Sequence, residues 1–96
     1  MNEPELNRRD MKALFNTIAR LKTSDRVRKF MRDLCTLSEL EAMAERWQVA
    51  KELKKGTPYR TIAKNTGSST ATITRVAQWL HHGMGGYELM LHRLRR

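Results

Sequence analysis

Between Lys54 and Tyr87 the chain carries Lys54, Lys55, Arg60, Lys64 and Arg75 and not one aspartate or glutamate. Within that window Ser69, Thr70, Thr72 and Thr74 crowd their hydroxyls together, with Ala71 among them and Arg75 closing the run. Cationic side chains meet phosphate oxygens, and with no carboxylate nearby nothing repels that approach. Short hydroxyls bond base edges directly or through water, and alanine and threonine methyls can touch a thymine methyl. The chemistry on offer is recognition of a polyanion with a readable edge, not the making of bonds.

Other reactive side chains are poorly placed for catalysis. His81 and His82 are adjacent, so on a helix they point apart, and neither they nor His92 have a carboxylate or cysteine to complete a metal site. Cys35 is the single cysteine and has no partner for a disulfide. It is expected to be a small buried apolar residue. Asp10, Asp25 and Asp33 fit helix starts or surface pairs, and no nucleophile, base and oxyanion donor converge on a motif. No metal, no cofactor and no enzymatic activity are expected.

Two short helices joined by a glycine turn would hold the hydroxyl run. Thr57 is placed to cap the first, with Pro58 at its first helical position, where a missing N–H costs nothing. That helix is predicted to reach Asn65. Gly67 supplies the turn, Ser68 or Ser69 caps the second helix, and the second helix continues to His82 before Gly83. A helix-turn-helix needs a small residue where its helices cross, a glycine able to take positive φ, and a branched apolar residue to lock the angle. Ala63, Gly67 and Ile73 fit, with Ile62 and Val76 as flanking core. Residues 57–82 are therefore read as a helix-turn-helix whose second helix turns its N-terminal half toward the major groove. Although Thr70, Thr72, Ile73, Thr74 and Val76 are β-branched, the apolar residues Ile73, Val76, Ala77 and Leu80 repeat with helical period.

Upstream, Met11, Leu14, Phe15, Ile18 and Leu21 make one helical stripe over residues 5–21. Val27, Phe30, Met31 and Leu34 make another, behind the caps Thr23, Ser24 or Asp25. Thr36 followed by Glu39 is a capping box, and Gly56 closes the helix it opens. Leu37, Leu40, Met43, Ala44, Trp47, Ala50 and Leu53 are its predicted apolar face. A last helix over 86–96 presents Tyr87, Met90, Leu91 and Leu94, followed by the basic Arg93, Arg95 and Arg96. The fold class is all-α with about six helices in one domain: 5–55 for dimerisation, 57–82 for the helix-turn-helix, 86–96 at the C-terminus. Ninety-six residues with a formal charge of +9 leave room for one small core, so a second copy that shares it is expected.

At this point the residues resemble a known family. From Cys35 to Leu80, the residues Thr36, Glu41-Ala42, Arg46, Glu52-Leu53, Gly56 and Ala71-Thr72-Ile73-Thr74-Arg75 resemble the tryptophan repressor superfamily. Arg75-Val76, Trp79-Leu80, Gly83 and Gly85-Gly86-Tyr87 look closer still to its YerC/YecD group. The resemblance implies an intertwined all-helical homodimer that binds double-stranded DNA and regulates transcription, as a repressor at a palindromic operator. Arg46 and Arg75 correspond to the two arginines that sandwich the corepressor indole in the tryptophan repressor. That family has glycine and serine where this chain has Val76 and Trp79. Val76 adds bulk where the ligand needs a void, and Trp79 can offer an indole of its own, so Arg46, Arg75, Val76 and Trp79 mark a vestigial ligand pocket. Tryptophan is not expected as corepressor, and the residues name no other small-molecule effector. The chain is one residue shorter than the tryptophan repressor between Gly56 and Ile62, so no base contact is carried over to the first helix of the motif.

In this reading Ser69, Thr70, Ala71, Thr72 and Thr74 read bases, while Arg60, Lys64, Ser68 and Arg75 hold phosphates. The competing function is an RNA-binding or protein-adaptor module on the same basic surface. RNA recognition favours exposed aromatics, and the window offers Tyr59, Tyr87 and Trp79, the last expected to be buried. With no secretory leader pattern in residues 1–20 and no long apolar run, the cytoplasm is the expected location and no membrane partner is expected.

Overall fold

The computed structural model describes residues 3–94. A single 3-10 turn, Pro4–Asn7, precedes six helices: α1 Arg9–Ile18, α2 Ser24–Leu34, α3 Leu37–Lys54, α4 Tyr59–Thr66, α5 Thr70–His82 and α6 Gly86–Leu94. No strand occurs among the described residues. The chain divides into two compact units, Met1–Leu40 and Glu41–Arg96. The expected basic tail at Arg95 and Arg96 lies outside the described residues.

Local signals set most helix ends. The Thr23 hydroxyl accepts the Arg26 N–H at 3.2 Å and starts α2. At α3 the capping box closes both ways: Thr36 N–H donates to Glu39 Oε1 at 2.8 Å, and Glu39 N–H donates to Thr36 Oγ1 at 3.1 Å. The far end of α3 stops at Gly56, φ +85°. There Gly56 N–H bonds the Leu53 carbonyl and Thr57 N–H the Glu52 carbonyl, at 3.0 and 3.1 Å, which satisfies two carbonyls that α3 would otherwise leave open.

In the unit Met1–Leu40, neither α1 nor α2 has a buried residue. Phe15 is 48% exposed and Leu34 50%, while Met11, Leu14, Leu21, Phe30 and Met31 are half-buried, so the two apolar stripes read from the sequence exist but are only partly covered. The first helix is shorter than the predicted 5–21, because the chain breaks at Arg8, which is extended with ψ 149°. Asp10, held below the usual carboxylate range chiefly by the Arg8 guanidinium, pairs with it across this break at 2.9 Å. Cys35 is half-buried rather than buried.

The unit Glu41–Arg96 has the core. Val49 and Ala50 of α3, Ile62 of α4 and Ile73 and Val76 of α5 meet there, each almost wholly removed from solvent. Trp47, Leu53, Ala63 and Tyr87 pack around it. The Trp47 and Tyr87 rings stack with centroids 6.2 Å apart, which fastens α6 to α3. Lys54 Nζ reaches both carboxylate oxygens of Glu88, at 3.0 and 3.1 Å. Val49 lies off the predicted face of α3 and Ala44 on that face is exposed. The reason is that apolar residues are spread round α3 instead of forming one stripe.

Candidate nucleic-acid interface

Helices α4 and α5 form the helix-turn-helix, joined through Gly67 at φ +75°. Gly67 N–H bonds the Ala63 carbonyl at 2.9 Å. A side chain that sequence reasoning missed holds the turn: Thr66 Oγ1 donates to the Ile62 carbonyl at 2.7 Å and accepts the Ser68 N–H at 3.2 Å. The only hint in the sequence was a threonine just before a glycine, and that does not say which way its hydroxyl faces. The start of α4 differs from expectation. Pro58 is extended (φ −61°, ψ 145°) and is itself the cap, α4 begins at Tyr59, and no side chain caps it. Thr57 is instead drawn into the closure of α3 through its backbone.

Ser69 is the cap of α5, its Oγ accepting the Thr72 N–H at 3.1 Å. Because Ile73, Val76, Ala77 and Leu80 point into the core, the opposite face of α5 turns outward. Thr70, Ala71, Thr74 and Arg75 are exposed there, Ser69 is exposed at the cap, and Thr72 is half-buried. Arg60 and Lys64 are both exposed and lie one helical turn apart on α4. Four of the five expected base-facing positions and three of the four expected phosphate-facing positions are thus open to a partner. Ser68 is not. It is 5% exposed and its Oγ is buried without a hydrogen-bond partner, while its N–H is spent on Thr66. The tight turn after Gly67 rotates Ser68 inward and leaves the outward cap position to Ser69.

The first carboxylate after the acid-free stretch, Glu88, is paired with Lys54. The acids of this unit gather elsewhere: Glu45 and Glu52, with Ala44, Gln48, Asn65 and Thr66, line a groove of about 350 Å³ between α3 and α4. Glu52 also pairs with Lys55 at 3.2 Å, so both lysines at the end of α3 are engaged by carboxylates, and Arg60, Lys64 and Arg75 are the cations of the window that the described ion pairs leave to a phosphate. No group of three or more His, Cys, Asp or Glu side chains among the described residues is placed to hold a metal. The His81 and His82 rings stand 6.4 Å apart, edge to face.

Of the four residues expected around a vestigial ligand pocket, Val76 is 1% exposed and belongs to the core. Arg46 is half-buried and Arg75 exposed. Trp79 departs from the expectation of burial: it is 40% exposed and lines an open groove of about 380 Å³ with Met84, Gly86 and Tyr87. Trp79 precedes the inward-facing Leu80 by one residue, about 100° round the helix, and so stands at the margin of the buried face.

This geometry can be set beside known proteins. A family model described as Trp repressor protein matches residues 9–95. The chain belongs to the Trp repressor family. It is 39% identical over 95 residues to the uncharacterised protein YerC of Bacillus subtilis (strain 168), a match that covers 99% of this chain and 91% of that one. Two solved structures share its fold. A TrpR-like protein from Eubacterium eligens ATCC 27750 is 38% identical, with a TM-score of 0.92 over 96% of this chain and 95% of that one. A candidate Trp repressor from Staphylococcus aureus is 36% identical, with a TM-score of 0.91 over 99% and 96%. The six-helix arrangement is that of TrpR-like proteins, and membership places the chain among DNA-binding regulators of transcription, a family that is not one of enzymes. No helix among the described residues is long and apolar enough to cross a membrane.

Proposed function

We propose that this Trp repressor family member binds double-stranded DNA sequence-specifically as a homodimer and regulates transcription, as a repressor, by occupying a palindromic operator in the cytoplasm. The observation that carries the reading is the outward face of α5. Thr70, Ala71, Thr74 and Arg75 are presented to solvent from a helix whose other face is locked in the core, inside a segment without acids. One α5 from each copy would enter successive major grooves. The uncovered apolar residues Phe15, Ile18, Leu34 and Leu37 support a dimer, since a second copy can bury what a single chain leaves in water. The formal charge of such a dimer is +18, twice the +9 of one chain, which favours a polyanion.

Tryptophan is not the corepressor in this reading. Where the tryptophan repressor has a glycine this chain has Val76, whose side chain is buried, and in this reading that added bulk leaves no room for a bound indole, so the protein would bind DNA without ligand. Selection of bound duplexes from a random pool tests the function: the winners should be near-palindromic, with half-sites about 10 base pairs apart. Absence of enrichment, or preference for structured RNA in competition, would refute it. Calorimetric titration with tryptophan should give no saturable heat, and a tighter operator complex in its presence would restore the corepressor.

A further inference from the structure

Gly67, at φ +75°, permits the turn between α4 and α5, but a glycine does not by itself hold one conformation. Among the described residues one hydrogen bond spans it. Thr66 Oγ1 accepts the Ser68 N–H at 3.2 Å and donates its own proton to the Ile62 carbonyl at 2.7 Å. Both directions are fixed by chemistry, because an amide N–H can only donate and a carbonyl can only accept. The backbone bonds on either side stay with their own helix: Gly67 N–H returns to the Ala63 carbonyl of α4, and Ile73 N–H to the Ser69 carbonyl at the cap of α5. A threonine that bonds the carbonyl four residues back ordinarily serves its own helix alone, as Thr17 does with Ala13 at 2.8 Å.

The anchor of this relay is rigid. Ile62 has no exposure and packs in the core with Ile73 and Val76 of α5. Those apolar contacts hold the two helices together, but they are non-directional and do not choose the angle between them. Ser68 shows that the angle is imposed. Its Oγ is buried without a hydrogen-bond partner, which is unfavourable, so its hydroxyl does not draw it inward, whereas its N–H is tied to Thr66. Ser69, the next residue, caps α5. One hydroxyl therefore refers the start of α5 to a fixed carbonyl of α4.

We infer that Thr66 is a positioning residue for sequence discrimination: its hydroxyl fixes the angle at which α5 leaves α4, so that both helices register on one duplex together. The inference rests on the DNA-binding reading above and adds to it a residue that acts through α5. Arg60 and Lys64 of α4 can hold the phosphates of any duplex, but a preferred sequence must also meet Thr70, Ala71 and Thr74 of α5 at the same time. Without the tie, α5 samples other angles, and affinity for the preferred sequence falls with the fraction of time spent in the competent one.

The test uses the full-length protein, amide hydrogen exchange read by NMR, and two duplexes, the one that wins selection and a scrambled one. In the wild type the Ser68 amide should be protected from exchange, and an unprotected amide refutes the relay whatever any variant does. Thr66→Val, close in shape but without the hydroxyl, should lose that protection while the Ile73 and Val76 amides keep theirs, which also shows that it is folded. Its affinity for the selected duplex should fall by about two- to tenfold, the range of the net worth of one hydrogen bond. Its affinity for the scrambled duplex, and the salt slope there, should stay as in the wild type. Thr66→Ser, which keeps the hydroxyl, should restore protection and discrimination together. If Thr66→Val does not fold, Thr66→Ala carries the same comparison. Equal weakening on both duplexes, or intact discrimination once the Ser68 protection is gone, overturns the inference and leaves the function standing, as does failure of Thr66→Ser to restore discrimination. If the wild type selects no duplex, the reading of the function fails and the inference with it.

Discussion

Two glycines of the reading unit should respond to the same substitution for different physical reasons, and the difference can be worked out in advance. At Gly67, φ is +75° but a Cβ would meet nothing within 4 Å. Gly67→Ala therefore costs only the left-handed conformation, about 1–2 kcal/mol. Gly83 has an ordinary φ of −86°, yet its Cβ would lie 2.4 Å from the Trp79 carbonyl oxygen and 2.9 Å from Trp79 Cε3. The oxygen is backbone, fixed in α5 and already accepting the Gly83 N–H at 2.9 Å, so it cannot swing aside. The Cβ is roughly 1 Å short of ordinary contact distance, and relief must come from bending the end of α5 or displacing the indole. Gly83→Ala should cost up to about 3 kcal/mol, the upper part of the range for overpacked sites. At about 4–8 °C per kcal/mol for a chain of this size, the two variants should separate in thermal unfolding at one fixed protein concentration. Gly67→Asn should recover part of the Gly67→Ala loss, since asparagine tolerates φ > 0, whereas no side chain should rescue position 83. Equal losses at both positions would refute the steric account of Gly83, and Trp79→Ala, which removes the Cε3 contact but leaves the carbonyl in place, should relieve Gly83→Ala only in part.

Ile73→Ala, at a side chain with no exposure, should destabilise by about 2–5 kcal/mol in urea unfolding and take DNA binding with it. Lys64→Ala should weaken all duplexes alike and lower the slope of log affinity against log salt by about 1, while Thr74→Ala should relax discrimination at one base pair, both read by titration at several salt concentrations. The Lys54–Glu88 pair is half-exposed, so Lys54→Ala should cost under about 1 kcal/mol. Acid should loosen the start of α3. The Glu39 carboxylate, held below its usual range by the Thr36 N–H and then the Thr36 hydroxyl, adds stability that is complete above the ordinary glutamate value and is lost as pH falls through the lowered one. Glu39→Gln should flatten that part of the pH profile, measured as the urea midpoint.

The parts of this fold that could be read from the chain were those decided within a few residues. Thr36 and Glu39 form the capping box their spacing required, and Gly56 and Gly67 take the positive φ expected of them. The outward row Thr70, Ala71, Thr74 and Arg75 was legible because Ile73, Val76 and Leu80 fixed which side of α5 is buried. What escaped depended on rotation and on competition between neighbours. Ser68 and Ser69 are chemically identical candidates for one cap, and only the geometry after Gly67 turns the first inward. Thr57 lost its capping role because the closure of α3 claimed its backbone first. Trp79 belongs to an apolar register by type but sits at its edge by angle.

The long reach of the Lys54–Glu88 pair sets it apart from the chain's other polar contacts. Among the described residues it joins positions 34 apart, whereas the remaining side-chain hydrogen bonds and ion pairs span no more than four positions. The polar information in this protein is therefore written in short words, each spelling the start, stop or turn of one helix. Such words can be read as soon as a segment leaves the ribosome, so the helices form early and within microseconds. What is left for the slow stage is the meeting of greasy faces. In the proposed dimer, the apolar faces of α1 and α2 that one chain leaves partly open would be closed in a bimolecular event, and the rate at which the protein becomes competent to bind should then rise with the number of copies present.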